Sequence, residues 1–461
     1  MNKMTELGTK PIRVLLAYYS VPAIIAMVVN AVYNVVDRIF IGRLVGEDAL
    51  AALTITFPIM MIIFAFAGLI GVGGAAILSI RLGEKDYKGA SHVFGNTLSY
   101  GVIITGIILF TFFINIDTML KLFGSNAATH QFAREYMEII LLGFIFQMVS
   151  FIFSNFIRTE GKPLMSMTVM LVSAVGNIIL DYIFIARFDM GVAGAALGTI
   201  ISQLLGMLIY LQYYLRGKSA IHIKAADFKP DLRLGLKILS IGFATFISTI
   251  GTSIAMTFLN RGLLKYGGTA GVTSMGAINS LYTFFIMPIM GITQGMQPII
   301  GYNHGAQKRK RVYGTLKLGI ITGMVFSSTV FLLLQIFSRT FISLFMGKES
   351  DTINMAITGL RIFIIMLPLL SINLMGTAFF QSIAKGRVSI FLGMLRQFIF
   401  LLPLLFLLPL RFDLNGVWAS VPIADALSIV ITLIALLVHY RRDKCSGEWV
   451  DPDDCKQKVL I

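Results

Sequence analysis

Residues 14–41 read VLLAYYSVPAIIAMVVNAVYNVVDRIFI, an apolar stretch long enough to cross a bilayer as an α-helix, with the carboxylate of Asp37 set inside it. An ionised carboxylate in hydrocarbon costs roughly 2.5–3.5 kcal/mol on insertion scales, so one kept there pairs, titrates or binds a cation. Asn30, Tyr33, Asn34 and Asp37 recur at helical spacing and share one face of that helix. Such a face is disfavoured against lipid and is read as facing a cavity. Asn30, Tyr33 and Asn34 are therefore candidates to meet a bound compound.

The same pattern continues along the chain. Of the 461 residues, 56% are hydrophobic and only 13% are charged. Soluble domains carry about a quarter charged residues, so the composition is that of an integral membrane protein. Residues 49–80, 93–116, 190–215, 238–260 and 318–338 contain no Asp, Glu, Lys or Arg. Shorter or interrupted runs at 14–41, 139–157, 163–186, 265–303, 352–384, 388–410 and 414–438 bring the expectation to twelve spanning helices, an all-α membrane fold. The first apolar run exceeds the hydrophobic region of a signal peptide and lacks a small-residue cleavage site, so no cleavable leader is expected.

The net charge of +15 acts as a topology signal. If the first helix leaves the cytoplasm, the termini and the loops near 81–88, 158–162, 216–237, 308–317 and 385–387 hold 26 of the 38 Lys and Arg. Positive residues favour the cytoplasmic side, which puts both termini inside a cell or inner membrane. The run KRKR at 308–311 suits membrane lipids with anionic headgroups, whereas nucleic acid is not expected as a partner. Cys445 and Cys455 lie in the charged tail at a spacing that fits no common zinc pattern, and no role is assigned to them.

An internal repeat organises these helices. Gly73, Gly83, Leu122–Phe123 and Gly194 recur as Gly295, Gly305, Leu344–Phe345 and Gly416, all at one common offset in the numbering. Gly161 answers Gly386 at an offset slightly larger, so a short insertion lies between. Six helices return the chain to its starting side, so the two halves share one orientation and a symmetry axis along the membrane normal. The expected organisation is a six-helix bundle over 1–215, a linker over 216–237 with room for an amphipathic surface helix, a second bundle over 238–440 and a tail over 441–461. A central cleft lies between the bundles.

The repeat also shows where the halves differ. Asp37 maps onto Leu259, and Asp181 of GNIILDYIFIAR maps within Pro403–Phe406. Asn177 lies one turn before Asp181 on the same helix face. Asp37 precedes Arg43 by six residues and Asp181 precedes Arg187 by six, which sets both acids at similar depth, about 9 Å inward of a basic anchor. Two carboxylates with amide neighbours suit a coupling ion: sodium through hard oxygen ligands at Asp37, Asp181 and Asn177, or a proton through repulsion and burial. The bland alternative has each acid satisfied by its nearby arginine. In the second half, Asp425 stands near Arg396 of the preceding helix, readable as a buried structural pair or as a substrate contact. Gln294 and Gln297, in GITQGMQPIIGYNHG with Pro288 and Pro298 nearby, are read as substrate contacts or as part of close small-residue packing. The 24 methionines and 36 phenylalanines are compatible with a pliable apolar pocket.

No HExxH, GxSxG or Walker sequence occurs, and His92, His130, His222, His304 and His439 fall in loops and helix ends. The chain is not expected to be an enzyme or to carry a cofactor. Its energy is expected from an ion gradient.

VYNVVDRIFIGR, NFIRTEGKP, NIILDYIFI, GVAGAALGTIISQ and QGMQPIIGYNHGA together resemble the multidrug and toxic compound extrusion (MATE) family, in particular its bacterial MepA-like branch. The likeness covers residues 10–440. It implies two six-helix bundles around a cleft and export of amphipathic, often cationic drugs in exchange for H+ or Na+. By this resemblance Asp37 is the first-helix acid of an amino-terminal coupling site. Asn177 and Asp181 are its fifth-helix Asn-x-x-x-Asp, and Thr199 is a sixth-helix member. Tyr136 and Asn155 are fourth-helix members, with Ser154 competing for the place of Asn155. The sodium-coupled NorM-like branch carries acids in the seventh and tenth helices, and this chain has none there, which favours coupling in the first bundle. A monomer is expected. The alternative function is a lipid-linked oligosaccharide flippase of the wider superfamily, whose pyrophosphate cargo calls for basic rather than acidic groups in the cavity.

Overall fold

The computed structural model describes residues 3–217, 219, 221, 224–346 and 352–445, the side chains of Lys3, Met4, Asn34, Phe345 and Cys445 excepted. His222 and Cys455 lie outside the described residues, as do the side chains of Asn34 and Cys445. The uncharged runs form helices because a backbone in hydrocarbon must satisfy its hydrogen bonds within the segment. The spans are α1 (Ile12–Val45), α2 (Glu47–Gly83), α3 (Tyr87–Ile114), α4 (His130–Thr159), α5 (Pro163–Arg187) and α6 (Gly191–Leu215) in the first half. The second half begins with the continuous helical stretch Leu232–Gly305, which breaks at Gly268 (φ +60°) into α7 (232–267) and α8 (269–305). Only glycine adopts that backbone region freely, so a single residue reverses the chain there. Then come α9 (Arg309–Ile336), α10 (Ile353–Ser382), α11 (Gly386–Leu407) and, in the stretch Pro409–Lys444 after a second break at Asp413 (φ +46°), α12 (414–444). With α7 and α8 counted separately, the described residues contain twelve spans, as the hydropathy predicts. The repeat also extends to short helices outside the spans: Ile116–Leu122 and Ser338–Met346 begin at positions related by the same offset that links Gly73 to Gly295.

An even number of spans brings both ends of the helical array to one side, here named the terminal face. The two bundles meet there. A β-carbon on Gly73 of α2 would lie 3.0 Å from Gly242 N of α7, and one on Gly295 of α8 would lie 2.8 Å from Ser20 N of α1. Both pairs stand near the terminal face, and the internal repeat exchanges them. On the far face the bundles part. One hydrophobic core runs through the first bundle and the terminal half of the second, joining Ile70 and Ile77 to Ile238, Ile292 and Ile299. A separate core around Leu259, Leu281, Leu360 and Trp418 fills the far half of the second bundle and includes no residue of the first. The cleft therefore opens toward the far face.

Two expectations at the terminal face change. Residues 224–231 form a single 3-10 turn, Ala225–Phe228, held on α3, in place of an amphipathic surface helix. Asn96 Nδ2 donates to Asp227 O at 3.1 Å, Asn96 Oδ1 accepts from Asp231 N at 2.7 Å, and Ser99 Oγ donates to Phe228 O at 2.7 Å. The basic run at 308–311, read as a lipid contact, ties the chain ends to the α8–α9 corner. Lys308 donates to Gly8 O at 2.7 Å, and Arg311 to Leu7 O at 3.0 Å, Lys10 O at 2.6 Å and Asn303 Oδ1 at 3.0 Å. Arg309 donates to Asp443 O at 2.9 Å. Helix-end carbonyls without intrahelical partners attract these cations, because such ends carry partial negative charge.

Candidate functional site

Asp37 lies on the final turns of α1, just before its π-helical end, Ile41–Val45. Asp181 is the residue at which α5 passes into a second π-helical segment, Tyr182–Arg187. π-Segments are rare and concentrate at functional sites, because the extra residue per turn re-aims neighbouring side chains. Both carboxylates are buried, Asp181 completely and Asp37 to 8% exposure. They are near enough to interact electrostatically, and Tyr136 of α4, itself buried, feels both.

The polar contacts around them leave acceptors open. Asn177 Nδ2 donates to Asp181 Oδ1 at 3.2 Å and, at the longer 3.4 Å, to Thr199 Oγ1 of α6. Asp37 Oδ1, Asp181 Oδ2 and Asn177 Oδ1 are buried oxygens with no hydrogen-bond partner. Among the described residues no ion pair joins Asp37 to Arg38 or Arg43, nor Asp181 to Arg187. Arg38 instead stacks over the Phe57 ring, 5.3 Å from its centroid. Three unsatisfied oxygens on neighbouring helices form a donor-poor pocket, which a proton or a hard cation would satisfy.

Gly198 of α6 makes this arrangement possible. A β-carbon there would run into Asp181 Oδ1 and lie 3.3 Å from Asp181 N. Ser202, one turn on, turns its hydroxyl back to Gly198 O at 2.6 Å, away from the acid. In the sequence Gly198 is one small residue among several in GVAGAALGTIISQ, with nothing to single it out. Only packing across helices reveals its role.

The structure thus gathers Asp37, Tyr136, Asn177, Asp181 and Thr199 in the first bundle. Asn30 and Tyr33 are half-buried on the same helix as Asp37, and the side chain of Asn34 lies outside the described residues. Asn155 is not in this group. It stands nineteen residues beyond Tyr136 on α4, about 28 Å along the helix axis, near the terminal face. There it accepts from Arg158 Nη2 at 2.7 Å and donates to Phe151 O at 2.8 Å. Its competitor Ser154 bonds Ser166 at 2.7 Å. Helix periodicity relates residues on one face but does not bring opposite ends of a span together.

Gln294 and Gln297 are also remote from the acids, in the contact zone between bundles. Gln294 Oε1 accepts from Arg158 Nη1, and Gln297 Nε2 lies 3.5 Å from Gln381 Oε1, whose own amide donates to Thr245 Oγ1 at 2.8 Å. Arg158, counted by sequence among the loop cations, is a buried residue of α4. In the second bundle, Asp425 of α12 pairs with Arg396 through Nε to Oδ1 and Nη2 to Oδ2 at 3.5 Å, and Tyr282 OH lies 3.5 Å from Nη2. The ion pair is formed, Asp425 is buried, and Arg396 keeps 20% of its side chain exposed.

The geometry has close relatives among known proteins. The MatE family model matches residues 22–183 and 241–407, one segment in each bundle. The Multidrug export protein MepA of Staphylococcus saprophyticus subsp. saprophyticus is 30% identical over 427 residues, covering 93% of each chain. The solved MATE multidrug transporter DinF-BH is 37% identical with a TM-score of 0.87, over 95% of this chain and 97% of its own. A multidrug resistance MATE family transporter of the MOP superfamily, solved in an outward-facing conformation, is 26% identical with a TM-score of 0.88, over 94% and 97% of the two chains. A family match over most of both bundles, joined to full-length similarity, leaves one assignment: this chain belongs to the MatE family.

Proposed function

We propose that the protein is a multi-pass membrane transporter that exports amphipathic, often cationic drugs or toxic compounds in exchange for H+ or Na+, coupled through Asp37 and Asp181. The observation that carries this reading is the set of three buried, unpartnered oxygens on Asp37, Asp181 and Asn177, with no arginine in an ion pair with either acid among the described residues. Tyr136 and Thr199 border the set. The positive-inside distribution supports a cytoplasmic terminal face, and with it an outward-open cleft.

In this reading an ion entering from outside neutralises the acids and satisfies their open oxygens. The far end of α1, with π-helical turns beyond Asp37, then shifts and releases the bound compound. Ion and compound compete for one conformational equilibrium, and each shifts it only by its differential affinity for the two states. One charge falling through 100 mV yields about 2.3 kcal/mol, near a 50-fold gradient of a neutral compound. For a monovalent cation exchanged one for one the voltage term cancels, and two titrating acids would restore it.

The test is efflux of an ethidium-like dye from energised vesicles, with pH and sodium gradients imposed separately. Asp37→Asn and Asp181→Asn are expected to abolish ion-driven efflux while the protein still inserts. Full transport by both variants would overturn the assignment.

A further inference from the structure

Arg158 presents a charge that the coupling site does not use. It is 9% exposed, and among the described residues no carboxylate stands within ion-pair distance of it. Glu160, two residues on, accepts instead from Tyr213 OH at 3.0 Å and Ser219 Oγ at 2.9 Å. The guanidinium has five N–H donors, and its two hydrogen bonds go to neutral amide oxygens, Gln294 Oε1 and Asn155 Oδ1. The carbonyl end of α4 offsets part of the charge, but a desolvated cation ordinarily requires an anion.

Beside Arg158 lies a cavity bounded by both bundles, with Ser79, Asn155 and Thr159 on one wall and Gln294, Gln297 and Ser382 on the other. It admits a particle of about the size of water. The three wall hydroxyls donate to their own helices. The amide nitrogens of Gln294 and Gln297 have only weak acceptors, Met27 Sδ at 3.9 Å and Gln381 Oε1 at 3.5 Å. The cavity is therefore lined by the guanidinium of Arg158 from the first bundle and by two glutamines of the second whose amide nitrogens are only weakly engaged elsewhere.

We infer that this cavity is a halide site: a chloride held by Arg158, Gln294 and Gln297 bridges the bundles and stabilises the closed terminal face. The donors come from both bundles, so separation at this face divides the site. A ligand that binds one state favours that state by mass action. A monatomic halide is little larger than water and needs less room than sulfate or gluconate.

The test uses full-length protein with Cys445 and Cys455 replaced by serine and spin labels at Lys88→Cys and Arg387→Cys, exposed positions at the terminal face of α3 and α11. Pulsed-resonance distances are compared in chloride, bromide, sulfate and gluconate at equal ionic strength. Chloride and bromide are expected to raise the ratio of short to long distances at least threefold over gluconate, with sulfate inert. Arg158→Gln is expected to abolish the response and Arg158→Lys to retain part of it. Asp37→Asn is expected to leave it intact, which separates this site from the coupling reading. Bromide anomalous diffraction of the unsubstituted protein should place a peak within hydrogen-bond distance of the Arg158 guanidinium. Equal distances in chloride and gluconate, an undiminished response in Arg158→Gln, an equal effect of sulfate, or no bromide peak would each overturn the inference.

Discussion

Gly83 of α2 and Gly305 of α8 occupy mirrored places in one helix crossing and answer each other in the internal repeat. A β-carbon on Gly83 would lie 2.9 Å from Ala306 N and against the Tyr302 carbonyl; one on Gly305 would lie 2.9 Å from the Ile80 carbonyl carbon. Ile80 and Tyr302 are themselves repeat mates, so the crossing maps onto itself when the bundles are exchanged. Small residues let two backbones meet without side chains between them, and in a bilayer that contact supplies much of the attraction between helices.

Gly305→Val should therefore open the terminal face. Overpacking of a tight contact costs about 1–3 kcal/mol, which corresponds to a population shift of roughly 5- to 150-fold. Spin-label distances between Lys88→Cys and Arg387→Cys are expected to lengthen, while each bundle keeps its helical circular dichroism. An unchanged distance distribution would show that the crossing tolerates a side chain.

Gly198→Ala should damage coupling through Asp181 while leaving the acid itself in place. The added β-carbon competes for the position of Asp181 Oδ1. Ion-driven dye efflux is expected to fall at least tenfold with little loss of inserted protein. Leu259→Ala, at the position that answers Asp37, removes a buried core side chain and is expected to lower stability by about 2–5 kcal/mol while coupled efflux persists. Comparing efflux with thermal unfolding for the two variants separates a coupling defect from a packing defect.

The Arg396–Asp425 pair is expected to behave as a structural unit. Asp425→Asn leaves a mostly buried guanidinium without its counter-charge, which costs toward the lower end of roughly 3–5 kcal/mol, given the partial exposure of Arg396. Arg396→Met combined with Asp425→Leu should recover most of that loss and retain transport. A double variant that is stable but has lost export of charged compounds would assign the pair to substrate recognition instead.

Asp231 offers a pH test at the start of α7, outside the spans. Its carboxylate accepts from the backbone N–H groups of Leu234 and Arg233, and these bonds hold its pKa below the ordinary carboxylate value. A folded-state pKa below the unfolded one means the stabilising contribution is present above the unfolded pKa and is lost as pH falls through the folded one. Asp231→Asn should therefore flatten the acid limb of the thermal stability profile below about pH 4, with the variant slightly less stable near pH 7 and the two proteins converging in acid. An identical acid limb in both proteins would remove the cap from the account.

The acids are legible in the sequence because a charged residue among apolar ones is conspicuous: Asp37 and Asp181 stand out in runs that otherwise carry no carboxylate, and Asn177 follows from helix periodicity. Asn155 is misplaced by sequence because a shared helix says nothing about which end of a span meets a site on other helices. Arg158 reads as a loop cation because charge counting cannot distinguish a residue at a helix end in water from one buried between bundles. The run at 308–311 reads as a lipid contact for the same reason; its carbonyl partners belong to the two ends of the chain, far away in sequence.

Sequence alone determined the number of spans, the duplication and the asymmetry of its acids, because hydrophobic length, residue spacing and charge are properties of the linear chain. Tertiary structure decided that three oxygens in the first bundle lack partners, that Gly198 makes room for Asp181, and that the bundles touch at one face and part at the other. Those outcomes depend on which helices come within a few ångströms of each other, and the same twelve helices can satisfy their own backbones in more than one such arrangement.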